Sequence, residues 1–162
     1  MTTSYRLLLL EDDQTLAETI TQTLHKQNLY SQRIEVQALS YAAFEDKFGM
    51  ARNSTRELIV LGGKASLQYE PDARLLKTLV NQLDRTHIFV LTSTTDAKQV
   101  LGFWQPGVHG VLERHEQAAQ WLVKAIQRIQ IVQLQRVYTR FTKQQPTGFW
   151  GKLRSLMGSV LA

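Results

Sequence analysis

The chain has 162 residues and no cysteine. Disulfides and thiolate metal sites are therefore excluded, and a reducing compartment fits. No apolar run approaches the ~18–20 residues that a helix needs to cross a bilayer. The first residues, Met1 to Arg6, lead straight into four leucines and then acids, which is not a signal-peptide pattern. The expectation is a cytoplasmic protein. There is no internal repeat, no low-complexity stretch, no phosphate-cradling glycine loop, no serine or cysteine nucleophile motif and no zinc-ligand spacing. The histidines, His25, His87, His109 and His115, are scattered, and none pairs with another at ligand spacing unless His109 and His115 meet across a strand. Acid is scarce at one end. Residues 1–115 carry a net charge of −1, whereas residues 116–162 hold seven basic residues and one acid, a net +6, which together give the +5 of the chain. The basic character belongs to the C-terminal third, where it is either a surface for an anionic partner or a solvated helix face.

What remains is an alternation of strands and helices. Leu7–Leu10 is continuously apolar, as in a strand covered on both faces. Asp13 caps a helix that runs to about Gln27, with Leu16, Ile20 and Leu24 on one face. Arg33–Leu39 reads as a second strand. Ser40 caps a short helix carrying Ala43, Phe44 and Phe48, stopped by Gly49. Ala51–Arg56 is a polar loop, and Glu57–Leu61 a third strand. Pro71 suits a first helical turn, followed by the stripe Leu75, Leu76, Leu79, Val80 and Leu83. His87–Leu91 and Gly110–Glu113 are the fourth and fifth strands, separated by a short helix over Asp96–Gln105, and a long helix starts near Glu116. Five strands alternating with five helices predict an α/β fold, a doubly wound, five-stranded and mostly parallel sheet with helices on both faces; for the order 2-1-3-4-5, function is expected at the C-terminal strand ends, between strands one and three.

Those ends carry Glu11, Asp12 and Asp13 after strand one, Gly62-Gly63-Lys64 after strand three, Thr92-Ser93 after strand four, and Arg114 after strand five. The ordered set, over about residues 5–130, resembles the receiver domain of bacterial response regulators in two-component signalling. The resemblance implies that Asp12 and Asp13 match the Mg²⁺-binding acidic pair and Thr92 the hydroxyl that steadies a phosphoryl group. It puts Arg114 in the place of the lysine, with His115 where proline is common and Val111 where an aromatic is common. Gly62 stands where the family carries its phospho-acceptor aspartate. Aspartyl phosphorylation needs a carboxylate nucleophile, a divalent cation and a cationic group on the transferred phosphoryl. Glycine supplies neither nucleophile nor ligand, and Asp12 and Asp13 alone offer at most a weak cation site. Glu70 and Asp72 lie eight and ten residues past Gly62 and are not expected to replace it. Lys64, two residues past Gly62, is either a stand-in for the metal against Asp12 and Asp13 or a solvent-exposed loop lysine.

The C-terminal third adds what the resemblance does not. From Ala118 to Ile129 the apolar residues Ala118, Leu122, Ala125, Ile126 and Ile129 share one stripe. From Ile131 the set Ile131, Leu134, Val137, Tyr138 and Phe141 points roughly the opposite way at 100° per residue. A continuous helix is favoured over a break near Gln130, because no Gly or Pro interrupts it before Pro146. After a turn at 144–148, Phe149, Trp150, Leu153, Leu156 and Met157 recur at amphipathic spacing, in a helix too short to stand alone. The organisation expected is a receiver-like domain over 5–130, an extended fifth helix over 131–145 and an amphipathic helix over 149–162. The function expected is a pseudo-receiver: not an enzyme, without a cofactor, acting by protein–protein interaction. The contact surfaces would be Phe103, Trp104 and His109, and the C-terminal helices as a homodimer or partner interface. The alternative is a nucleic-acid- or anionic-membrane-associated regulator using the basic tail. A membrane surface ranks second to protein, and no recognition-helix motif supports nucleic acid. Whether residue 162 is a natural end is open.

Overall fold

The computed structural model describes residues 5–26, 33–51, 57–83 and 85–142. In chain order the elements are β1 (Tyr5–Leu10), α1 (Gln14–His25), β2 (Ile34–Leu39), α2 (Tyr41–Ala51), β3 (Leu58–Leu61), a 3₁₀ turn (Ala65–Leu67), α3 (Ala73–Gln82), β4 (His87–Thr92), α4 (Ala97–Phe103), β5 (Val108–Glu113) and α5 (Ala118–Thr142). The five strands are parallel and lie in the order β2-β1-β3-β4-β5. The alternation predicts the parallel, doubly wound sheet, and the order is the expected receiver- or flavodoxin-like one.

The central strands are apolar throughout because both faces of the sheet are covered. Leu8 and Leu10 of β1, Ile59 and Leu61 of β3 and Ile88 and Val90 of β4 pack in one cluster with Tyr41 and Phe44 of α2, Leu76 and Leu79 of α3, and Phe103 of α4. Their alternates Leu7, Leu9, Leu58, Val60, Phe89 and Leu91 are equally buried and, by the period of two, face the other side. α1 buries Leu16, Ala17, Ile20 and Leu24, the predicted stripe with one alanine added.

Three aspartates start helices in the same way. Asp13 accepts from the amides of Thr15 and Leu16, Asp72 from Arg74 and Leu75, and Asp96 from Lys98, each satisfying orphan first-turn donors. Ser40 Oγ accepts from Ala43 N at the head of α2. Two boundary signals misled. α2 runs through Gly49 to Ala51, since one glycine weakens a helix interior by only about 1 kcal/mol and does not by itself end it. Pro71 lies before the Asp72 cap rather than in the first turn of α3, and it is buried. β5 begins two residues earlier than expected, at Val108.

The chain divides into two compact units, Met1–Val123 and Lys124–Ala162, and the division falls inside α5. That helix is continuous through Gln130, with no break there. Along it Ala118, Ala119, Leu122, Val123, Ile126 and Ile129 are buried, while Ile131 is half-buried and Val132 exposed. The side chains of Leu134, Val137, Tyr138 and Phe141 lie outside the described residues, as does the expected helix with Phe149, Trp150, Leu153, Leu156 and Met157. Among the described residues no helix is long and apolar enough to cross a membrane.

Candidate functional site

The parallel register brings Leu10 level with Leu61, Leu61 level with Val90, and Thr92 level with Glu113. The residues that follow these strands therefore meet at one edge of the sheet.

Glu11 is the centre of that edge. Its side chain is 0% exposed, and a buried carboxylate survives only with partners on both oxygens. It has four. Arg114 Nε donates to Oε1 at 2.7 Å and Arg114 Nη2 to Oε2 at 3.1 Å, a bidentate pair. Gly63 N donates to Oε1 at 3.1 Å and Asp13 N to Oε2 at 3.0 Å. Arg114 is itself only 12% exposed, and its guanidinium lies over the Tyr69 ring at 5.1 Å. Burial works against its charge, but the hydrogen bond and charge of Glu11, with Asp13 behind, outweigh it, so the guanidinium holds its proton more firmly than a free arginine.

The two glycines make room for this pair. A Cβ on Gly62 would stand 2.7 Å from Leu10 O and 2.9 Å from Glu11 Oε1. A Cβ on Gly63 would stand 2.6 Å from both Arg114 Nε and Tyr69 O. Contacts under 3.0 Å to backbone oxygens are not relieved by moving a side chain. The space in which a side chain at 62 would begin is thus already taken by the Leu10 carbonyl and the carboxylate of Glu11. Gly62 is held on its other groups as well: its amide donates to Leu10 O at 2.7 Å, and its carbonyl accepts from the Tyr41 hydroxyl at 2.6 Å. Burial keeps that phenol well above its usual range.

The expected acidic pair is divided between two structural tasks. Asp12 accepts from Tyr41 N at 2.9 Å through Oδ1 and from Ala65 N at 2.8 Å through Oδ2, tying the heads of α2 and the 3₁₀ turn to β1. Asp13 caps α1 through Oδ1, and its Oδ2 lies 3.8 Å from Arg114 Nη2. Magnesium prefers an octahedron of oxygens. Here one carboxylate has both oxygens on backbone amides, the third-strand ligand is absent, and a guanidinium stands beside the other acid. Among the described residues no group of three or more His, Cys, Asp or Glu is placed to hold a metal ion. The residues present do not fit a divalent cation.

Lys64 is not directed at Asp12 and Asp13. Its backbone pairs with Glu70, and its ammonium sits 3.0 Å from Asp72 Oδ2, 3.6 Å from Glu45 Oε1 and 5.6 Å over the Tyr41 ring. The hydrogen bond to Asp72 raises the lysine's pKa. Burial alone would raise Asp72, but the Lys64 bond and the α3 amides lower it overall. The cation that reaches the first-strand acids is Arg114.

Thr92 is occupied too. Its hydroxyl donates to Glu70 Oε2 at 2.8 Å and accepts from Thr94 N at 3.2 Å. Glu70, distant from Gly62 in sequence, returns because residues 64–70 fold back as an antiparallel bridge. Among the described residues it shares no hydrogen bond with Glu11, Asp12 or Asp13. The sequence reading missed Glu11 as the anchor and Glu70 as the partner of Thr92; the length of Leu7–Leu10 ending at Glu11 was the available signal for the first.

The expected contact aromatics split. Phe103 is 9% exposed and joins the core, whereas Trp104 is 48% exposed beside Leu101 at 67%. α4 ends at Phe103, so the next residue leaves the helix and turns outward. His109 is exposed and pairs with His87, not with His115, whose Nδ1 accepts from Gln117 N.

No protein-family model matches the chain, and no curated protein matches it. Solved structures do. The Mn²⁺-bound form of the response regulator Rcp1 is similar at a TM-score of 0.56 and 19% identity, covering 73% of this chain and 91% of that one. The isolated receiver domain of RcsB from Salmonella enterica serovar Typhimurium, with phosphomimetic BeF₃⁻, is similar at 0.59 and 12%, covering 78% and 90%. An orphan response regulator of H. pylori is similar at 0.58 and 15%, covering 79% and 98%. The likeness establishes that the chain has the receiver fold.

Two measurements check the site's energetics. Arg114→Met leaves a buried carboxylate unpaired and is expected to lower the unfolding free energy by about 3–5 kcal/mol, whereas Glu11→Met/Arg114→Met recovers much of that loss; urea denaturation of the cycle reads both. Asp72 has a depressed folded pKa, so its stabilisation is fully present above the unfolded value near 3.8 and is lost as pH falls through the folded value. The stability gap between wild type and Asp72→Asn is therefore expected at pH 7 and should shrink below pH ~4; a gap that grows on acidification contradicts the assignment.

Proposed function

We propose that this chain is a receiver-like regulatory domain whose phospho-acceptor site is closed to phosphoryl transfer, and that it acts by binding protein rather than by turnover. The observation that carries this reading is the Glu11 carboxylate, which fills the space of a side chain at position 62 and engages Arg114 through both oxygens.

The groups that phosphoryl transfer would need are absent or engaged. Gly62 offers no nucleophile. Arg114 is committed to Glu11, and Thr92 to Glu70. The anions that would arrive on a phosphoryl group are replaced by two internal carboxylates, so the edge of the sheet has the charge complement of an occupied site without needing a ligand. Such a site is static, and regulation would then come from which partner is bound. The receiver-like domain spans 5–130. α5 runs on to Thr142, and in this reading the segments 131–145 and 149–162 carry self-association or coupling to a partner. The unbroken course of α5 past Gln130 supports that role, since a helix longer than the sheet it follows presents a second face.

Incubation with acetyl phosphate and Mg²⁺ is expected to leave the intact mass unchanged, and Gly62→Asp alone is not expected to confer modification while Glu11 remains. A stable acyl phosphate on any carboxylate of the wild-type chain overturns the proposal. For the tail, light scattering is expected to give a dimer for the full chain and a monomer for a version ending at Gln130; equal masses for the two remove the tail from assembly.

A further inference from the structure

At the opposite end of the sheet from Glu11, two histidines that are far apart in sequence come together. His87 opens β4 and His109 lies in β5. Thr92, the residue of β4 nearest the Glu11 end, is five residues on, roughly 16 Å away along the strand. The His87–His109 pair is therefore a separate feature from the edge described above.

Their meeting is built by an irregularity in the ladder. Ile88 pairs with Val108 and Phe89 with Gly110, so one step on β4 spans two on β5. His109 is the extra residue of this bulge. An extra residue of that kind is left without a strand partner, and its side chain is re-aimed relative to the pleat. Here it is aimed at His87. The ring is also fixed from the side: Phe89 lies 5.6 Å from it, with planes at 60°. Gly110 permits that, because a Cβ there would stand 2.8 Å from Phe89 Cε1.

The resulting geometry leaves the two Nδ1 atoms at the spacing that a shared ion requires. The two Nδ1 atoms are 3.3 Å apart, with ring centroids at 4.6 Å and planes at 75°. N–H···O bonds usually fall at about 2.7–3.2 Å, so the 3.3 Å N···N contact is a long hydrogen bond at best. Two nitrogens on one tetrahedral ion, each at about 2.0–2.1 Å, stand about 3.3–3.4 Å apart. Neutral imidazole is a preferred ligand of zinc, copper and nickel. His109 is exposed and His87 half-buried, so an ion and its remaining water ligands have access.

We propose that His87 and His109 form a two-histidine site for a divalent transition-metal ion of the zinc, nickel and copper class, clipping β4 to β5. Water, or a ligand from another molecule, completes the coordination, since no third protein ligand is in place among the described residues. Binding only the folded chain, the ion stabilises it by mass action.

The test uses the full chain without a histidine affinity tag. Titration with Zn²⁺ by calorimetry, and with Co²⁺ by visible absorption, is expected to show one site per chain with the strong bands of tetrahedral cobalt. Because the second imidazole binds intramolecularly, His87→Gln and His109→Gln are each expected to weaken binding on the order of a hundredfold. His115→Gln is expected to leave it unchanged. Zn²⁺ should raise the thermal midpoint of wild type but not of His109→Gln, whose circular dichroism should match wild type. Failure of the wild type to bind either ion, or binding that persists in His109→Gln, overturns the proposal.

Discussion

The ion pair between Glu11 and Arg114 is the constraint around which the functional edge is arranged. A carboxylate with no exposure costs several kcal/mol of desolvation, and this is offset only where geometry is good and every lone pair is used. Glu11 meets that condition with a bidentate guanidinium and two backbone amides, one from each of the segments that follow β1 and β3. The pair joins residues 103 apart in sequence and ties the fifth strand to the first across the intervening strands. Removing either member would leave a buried charge, which is why the arrangement behaves as a unit.

The segment 64–72 is the second consequence. It reaches the edge at three places, Ala65 N on Asp12, the Tyr69 ring under Arg114 and Glu70 on Thr92, and Lys64 on Asp72 closes the segment on itself. To do so it holds Gln68 at φ 55° and Tyr69 at φ 59°, left-handed conformations that cost non-glycine residues roughly 1–3 kcal/mol each. The strain places the Tyr69 carbonyl and ring against Gly63 and Arg114, where a side chain at position 63 would collide with both. The loop is therefore shaped by the ion pair and in turn covers it.

The fold was legible in the sequence because its signals are local and repeated. Continuous apolar strands, aspartate caps and a 3.6-residue stripe on α1 and α3 mark the same alternating elements, and the resemblance supplied their order in the sheet. The site was only half legible. Glu11, Asp12 and Asp13 are adjacent acids, and which one is buried depends on a cation 103 residues away, which no local pattern encodes. Lys64 was the candidate to answer the acids; the Lys64–Glu70 bridge turns it toward Asp72, and Arg114 answers them instead. Phe103 and Trp104 differ by one position at a helix end, and the end of α4 decided which packs inward. The bulge that joins His87 to His109 left no trace beyond Gly110. That residue 62 is a glycine, with no side chain, is plain from the sequence alone, whereas the groups crowding it become visible only in the fold.

That absence is better described as a replacement. A carboxylate stands beside the end of β3, but it comes from Glu11, the residue after β1, and both its oxygens are engaged by Arg114. The fork of arginine matters here. A lysine at 114 would present a compact ammonium to a carboxylate whose two oxygens are now met together by two parallel N–H donors. A longer acid on strand one, a bare backbone on strand three and a guanidinium on strand five thus answer one another geometrically. Changing any one alone either crowds the backbone or leaves a charge unpaired. An acid placed at 62 would meet Glu11 Oε1 at 2.9 Å from its Cβ, and even with Glu11 withdrawn the Leu10 carbonyl at 2.7 Å would still crowd it, so the backbone itself would have to shift.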